Sequence, residues 1–326
     1  MWILIATVTQ LLTGSPVADR IVFNLPEEKN ARSRIERTSA WIERHVVQVN
    51  MPDHGTVSVV AWKDPTLDPD KPQQLAGYLI TDTLWSAYAL RLTAPSKSQA
   101  LLAGLKKIGW TKNKLHEVLF EPVDQLLHQP ADEDFVHGHS IGIFPSTNGR
   151  TADLRVFRHQ WNQDFDIGHP LLFAEHAVYR SLDDWWKGKT EEARARLRPV
   201  FALDESRKVK GIFWDEKARI VVDHVNRADW IRWRQGDRNA IEHYSFKGAL
   251  LIYAARVLEL DREYPEVYTQ MKERLWSAQN DDGGIAHFLF VDHAGKTTRA
   301  PDATGEACAI AILADTVGLQ PDQVRP

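Results

Sequence analysis

Residues 275–319 constrain the fold more than any other stretch of the chain. They read LWSAQNDDGGIAHFLFVDHAGKTTRAPDATGEACAIAILADTVGL. The end of a helix runs into a glycine turn, then a short hairpin, then an apolar segment that opens on acidic residues. A helix that is apolar on every side must be covered on every side. One such unit cannot cover its own helix, so other parts of the chain must supply helical hairpins to stack around it.

The remaining sequence offers those partners. Residues 30–47 space Ile35, Trp41, Ile42 and Val46 as an amphipathic helix does. Residues 57–62 form a β-prone run, and the proline-rich KDPTLDPDKPQQ after it marks a surface loop. Residues 78–92 predict a buried helix with Asp82 near its start, followed by an amphipathic partner over SKSQALLAGLKKIGW. Residues 114–128 predict a further helix. A hairpin is expected within residues 135–157 and another within 211–225. After the first, Pro170 suits an initial helical position and makes His169 the expected cap. Buried helices are also expected over 242–260 and from Asp302 onward, with charged partners in TEEARARLRPV and YPEVYTQMKERLWSAQ.

Polar or acidic lead-ins at 78–82, 166–169, 243–244 and 302–306 thus each precede a buried helix. The fold class this pattern predicts is mainly α: an α/α toroid of helical hairpins with inserted short β-hairpins, forming one domain over residues 19–326. In such a ring the buried helices gather their N-termini at one end, where free backbone N–H groups favour anions or carboxylate caps.

The run Gln279-Asn280-Asp281-Asp282-Gly283-Gly284-Ile285 resembles the Q-x3-G-x-W repeat of terpenoid cyclases and prenyltransferase-like toroids, with Ile285 where the repeat has Trp. The following DATGEACAIAILA resembles the buried helix after such repeats. The resemblance covers about the last forty residues and implies the toroid fold, not an activity. Protonating terpenoid cyclases use D-x-D-D, whereas Asp164-Phe165-Asp166 here is followed by Ile167 and matches only in part. Zinc-dependent prenyltransferases use Asp, Cys and His, but Cys308 has Glu306, not Asp, two residues before it.

Several residue groups carry chemistry, each with a plainer structural role beside it. Asp302 and Glu306, four apart at an expected helix start, share a face and suit general acid and base; they equally suit a cap and a helix-dipole partner. Asp82, one turn after Tyr78, is an ionisable group in an apolar helix, fit for a pocket acid or for an inter-helix hydrogen bond. His243 and Tyr244 offer a base and an acid, as in polysaccharide lyases built on α/α toroids, although neighbours on a helix do not share a face. Asp166 and His169 line the second lead-in. Trp230, Trp233 and Arg234, with Arg227 and Arg232, offer flat faces and guanidinium groups for sugar rings and their carboxylates; the same pattern describes Trp packed under Arg stems. His137 and His139 with Asp164, Asp166 and His169 invite a metal, but no tight ligand spacing such as H-E-x-x-H is present, and no metal is expected.

Bulk properties narrow the function classes. A net charge of −4 lacks the basic excess of a general nucleic-acid binder. A single cysteine excludes an internal disulfide and a multi-thiolate zinc site. The 12 tryptophans must pack a core or contact a ligand. No Walker lysine motif or G-x-G-x-x-G occurs, so no cofactor is expected. The apolar run from Trp2 to Leu12, with small residues around 15–18, reads either as a secretory signal over residues 1–18 or as a buried first element, and is too short for a stable membrane span.

Together these features predict an exported lyase or hydrolase acting on an acidic polysaccharide, with a polysaccharide or small molecule as its partner. Asp82, His243, Tyr244, Asp302 and Glu306 would be catalytic. Tyr78, Asp166, His169, Trp230, Trp233 and Arg234 would bind substrate. A terpenoid- or prenyl-processing enzyme on the same fold, and a toroid that binds without chemistry, are the alternatives.

Overall fold

The computed structural model describes residues 21–51, 54–61, 78–108, 141–145, 154–158, 178, 181–182, 184–185, 188–202, 212–215, 220–223, 242–291 and 297–319. Helices hold the larger part of them, so the protein is mainly α. In chain order these are α1 (Lys29–His45), α2 (Ile80–Ala89), α3 (Pro95–Lys107), α4 (Thr190–Phe201), α5 (Ser245–Val257), α6 (Leu260–Glu263), α7 (Pro265–Trp276) and α8 (Gly305–Thr316). None of the described helices is long and apolar enough to cross a membrane.

The centre of the core is α8, which packs against α5, α2 and α1. Its sequence, GEACAIAILADT, alternates Gly, Ala and Cys with Ile and Leu, so neighbours can approach closely on several sides. Every residue of α8 except Asp315 is buried. Ile310, Ile312 and Leu313 are almost wholly enclosed, and truncating any one to Ala would cost about 2–5 kcal/mol. Asp315, near the end of the helix, pairs with Arg34 on α1 and Lys272 on α7, which offsets an acid at the negative helix end.

Each of the three buried helices has an amphipathic partner. α3 packs on α2, where the Ser98 hydroxyl donates to Ala87 O at 2.6 Å. α7 packs on α5, and α1 on α8. Trp41, Trp85, Trp185 and Trp276 are all buried, so these four tryptophans serve the core.

The glycine turn after α7 docks on α1. The Gln279 side-chain amide donates to Arg34 O at 2.9 Å and to the Thr38 hydroxyl at 2.8 Å, while Arg37 donates to its carbonyl oxygen. Thr38 Oγ1 in turn donates to Gly283 O at 2.9 Å. Trp41 Nε1 donates to Asp282 Oδ2 at 3.0 Å. Gly283 adopts a φ of +97°, and a Cβ there would lie 2.5 Å from Arg37 O. Turn conformation and close approach both require glycine at this position.

The strands are short and all their pairings are antiparallel. β1 (Ile21–Phe23) pairs with β12 (Val317–Leu319), and β2 (Val46–Met51) with β3 (Gly55–Val60). β4 (Tyr78–Leu79), β5 (Ile141–Pro145) and β6 (Leu154–Arg158) form one three-stranded sheet. β7 (Ile212–Asp215) pairs with β8 (Ile220–Asp223). β10 (Phe288–Val291) lies between β9 (Glu242–Tyr244) and β11 (Thr297–Arg299).

These pairings correct the expected starts of three helices. Tyr78 belongs to β4, opposite Ile143, so the expected stacking of Tyr78 and Asp82 on one helix face does not hold. His243 and Tyr244 belong to β9, opposite Leu289 and Phe288, and α5 begins only at Ser245. α8 begins at Gly305, not Asp302, because Thr304 is the cap: its side chain accepts from Ala307 N at 3.3 Å. Asp302 therefore precedes the helix, and the expected i,i+4 pairing of Asp302 with Glu306 on a helix face does not hold. In each case the lead-in finds an extended partner distant in sequence, which outweighs the local helical pattern.

Candidate functional site

The start of α8 and the sheet beside α5 bring most of the described candidate residues into one region. Asp82 is fully buried on the first turn of α2. A Cβ placed on Gly305 would lie 3.8 Å from Asp82 Oδ2, so this carboxylate sits against the first turn of α8. Glu306 is the next residue of that turn and is 7% exposed. The start of α8 thus brings two buried acids close together. Asp82, His243, Asp302 and Glu306 all have interaction partners, so none is an isolated charge.

Two residues further along α8, Cys308 is wholly enclosed. Its Sγ accepts a hydrogen bond from Ile285 N at 3.1 Å. Burial pushes its thiol pKa well up, and the charges of Asp282 and Asp82 add to the effect. Cys308 is therefore a packing residue that ties the glycine turn to α8, not a nucleophile.

The segment leading into α8 is linked to the start of α5 through His287. Ser245 N donates to His287 O at 3.0 Å, and His287 N donates to Asp302 O at 2.9 Å. Leu289 pairs with Arg299, yet Ala286 pairs with Ala303. The register therefore slips by one residue, and the segment 300–302 carries a β-bulge. Bulges re-aim the side chains that follow, here Asp302.

The sheet has two different faces. His243 and its partner Leu289 are both buried. On the opposite face lie Tyr244, Phe288 and Phe290, all half-buried. Tyr244 meets Phe288 edge-on at 4.5 Å and His287 at 5.4 Å, and the His287 ring stacks on Phe288 at 3.9 Å. Phe246 adds a T-shaped contact to Tyr244 at 5.9 Å. Lys247 Nζ lies 4.8 Å from the Tyr244 ring and 5.7 Å from the Phe246 ring, within cation–π range. A cluster of partly exposed rings can receive a flat or ring-shaped ligand, and the buried Lys247 adds positive charge beside it.

The sheet borders a small, partly open cavity of about 40 Å³ between β9, β10, α5 and α7, which Tyr244 also lines. Its polar edge is formed by His243, Ser245 and Arg274, and its walls by Leu251, Met271 and Leu275. Arg274 also donates to Thr297 Oγ1 at 2.6 Å, which fixes its position at the base of β11.

Of the expected residues, Asp82 and Glu306 are thus brought together, Asp302 is joined to His287, and His243 and Tyr244 are separated onto opposite faces. Only the backbone of Tyr78 is described. Asp166, His169, Trp230, Trp233 and Arg234 lie outside the described residues, as do His137, His139 and Asp164 and the apolar segment 1–18. Among the described residues no group of three or more His, Cys, Asp or Glu is placed to hold a metal ion. Sequence reasoning missed His287, Phe288, Phe246 and Lys247. The alternation in IAHFLFV carried the signal, but a strand's exposed face is identified only once its partners are known.

No protein-family model, curated protein or solved structure matches the chain.

Proposed function

We propose that the protein is a carbohydrate-active enzyme, a lyase or hydrolase, acting on an acidic polysaccharide at one end of an α/α toroid. The observation that carries the reading is the half-buried ring cluster of Tyr244, Phe246, His287 and Phe288 with Lys247 against it. Sugar rings present C–H faces that stack on aromatic rings, and a nearby ammonium favours those bearing carboxylates. The β-bulge at 300–302 adjoins the cluster through the His287–Asp302 backbone bond, and the buried acids follow at the start of α8. In this reading Asp302 and His287 exchange protons with the substrate, Tyr244 assists, and Asp82 and Glu306 set the local charge. The three helix pairs α2–α3, α5–α7 and α8–α1, together with the docked glycine turn, support a toroid.

The test is a screen of the full chain against uronate-containing, sulfated and neutral polysaccharides, following new reducing ends and the absorbance of unsaturated uronate products. Turnover of an acidic polysaccharide is expected, with a several-fold higher KM for Phe288→Ala and a kcat loss of at least about a hundredfold for Asp302→Asn or His287→Gln, the scale of general acid–base catalysis. Activity that survives both substitutions, or the absence of binding to any acidic polysaccharide, overturns the proposal. A terpenoid- or prenyl-processing reaction is the second reading, and the full burial of Asp82 among apolar helices favours it. It requires turnover of a prenyl diphosphate or polyene that is abolished by Asp82→Asn, with no polysaccharide bound.

A further inference from the structure

Gly248 lies inside α5, one turn after its start. Glycine is the least favourable residue for a helix interior apart from proline. Close packing usually explains such a glycine, and here it does not: a Cβ at this position would meet nothing within 4 Å. Its φ is not in the left-handed region either. The missing side chain instead opens the cavity that Gly248 lines with His243, Ser245 and Arg274. Ser245 is 5% exposed, and its hydroxyl has no hydrogen-bond partner although it borders this space. An enclosed hydroxyl facing a space that a single methyl would fill at no steric cost is a poor arrangement for stability alone.

We infer that this cavity is a binding site for a short aliphatic carboxylate. Three features set the ligand class. The walls at Leu251, Met271 and Leu275 are apolar and suit an alkyl chain. One edge carries an arginine, a histidine and the hydroxyl of the first residue of a thirteen-residue helix, and these together suit one anionic head. The volume of about 40 Å³ exceeds the space one water requires, and the cavity is partly open, so a short chain can enter with its end in the mouth. The site shares Tyr244 with the ring cluster, but its other lining residues are distinct and its test reads binding of a small carboxylate, so it does not depend on the function proposed above.

The experiment measures binding of sodium butyrate to the full chain by calorimetry and ligand-observed NMR, with 1-butanol as the uncharged control. Saturable butyrate binding is expected, with butanol at least about tenfold weaker, the effect of one charge-assisted hydrogen bond. Gly248→Leu is expected to abolish butyrate binding, and Ser245→Ala to weaken it several-fold. Gly248→Ala, the milder replacement that keeps the test valid should Gly248→Leu fail to fold, is expected to raise the Tm without ligand and to weaken butyrate binding. The inference is overturned by the absence of saturable butyrate binding, by equal affinity for butanol, or by a Gly248→Ala protein that binds butyrate unchanged or melts at a lower temperature.

Discussion

Replacing Gly283 by alanine tests the central long-range contact of the fold. Two costs add at this position. A φ of +97° places an L side chain in the left-handed region, at about 1–2 kcal/mol. The new Cβ would then lie 2.5 Å from Arg37 O and 2.9 Å from Arg37 C, both backbone atoms of α1. Relieving that overlap means moving the turn from the helix, at about 1–3 kcal/mol for overpacking of this kind. Gly188 is the internal control, because its φ is +81° but a Cβ there meets nothing within 4 Å. Gly188→Ala should therefore cost only the conformational part, about 1–2 kcal/mol. An unfolding entropy of about 2.1 cal/mol/K per residue gives roughly 0.7 kcal/mol/K for a chain of 326 residues. Calorimetric melting should then show a Tm lower by about 3–7 °C for Gly283→Ala and by about 1–3 °C for Gly188→Ala. Buried Trp41, bonded to Asp282 in the same turn, should report the larger change in its fluorescence. Equal shifts for the two variants would refute the docking of the turn on α1.

Further outcomes follow from other contacts. Thr304→Val removes the cap of α8 and should cost about 1 kcal/mol in urea denaturation; an unchanged midpoint would place the helix start elsewhere. Cys308 should react with thiol reagents only at the rate of global unfolding, since burial raises its pKa and closes access, and rapid labelling of the folded protein would contradict that. Glu263 accepts hydrogen bonds from Arg198 and Arg194, which lower its pKa from 4.5 to about 2. Its contribution to stability is present above pH 4.5 and is lost as pH falls toward 2, so Glu263→Gln should flatten the acid side of the stability profile over that interval. The group is partly exposed, so the effect should stay below about 1 kcal/mol.

Local pattern made the helices legible, and partners distant in sequence decided what the pattern left open. The spacing of Ile35, Trp41 and Ile42 predicts α1, and the continuous apolar run after Glu306 predicts a helix buried on all sides, as α8 is. Nothing in residues 275–285 reveals that Gln279 reaches Arg34 and Thr38, because those partners lie more than two hundred positions away. The starts of α2, α5 and α8 were displaced by two to three residues for the same reason. Tyr78, Tyr244 and Ala303 have local sequences compatible with a helix, but extended partners hold them in strands and bridges. Of the candidate site, the acids at the start of α8 could be read from the chain. The ring cluster could not, since Tyr244 and Phe288 become neighbours only when β9 pairs with β10. His243 and Tyr244 illustrate the difference: adjacency in sequence suggested a working pair, and the strand sends them to opposite faces.

The docking of the glycine turn on α1 also sets a schedule for biosynthesis. Thr38 and its acceptor on Gly283 are 245 residues apart. At about 5–20 residues per second, α1 leaves the ribosome roughly 12–50 s before its partner is made. Through that interval Ile35, Trp41 and Ile42 lack the surface of α8, the helix on which α1 packs most extensively. The nascent chain therefore carries an exposed apolar helix for most of its synthesis, a direct substrate for chaperones that hold unfolded segments. Yield in a cell should accordingly depend more on chaperone supply and on translation speed than the stability of the finished fold would suggest.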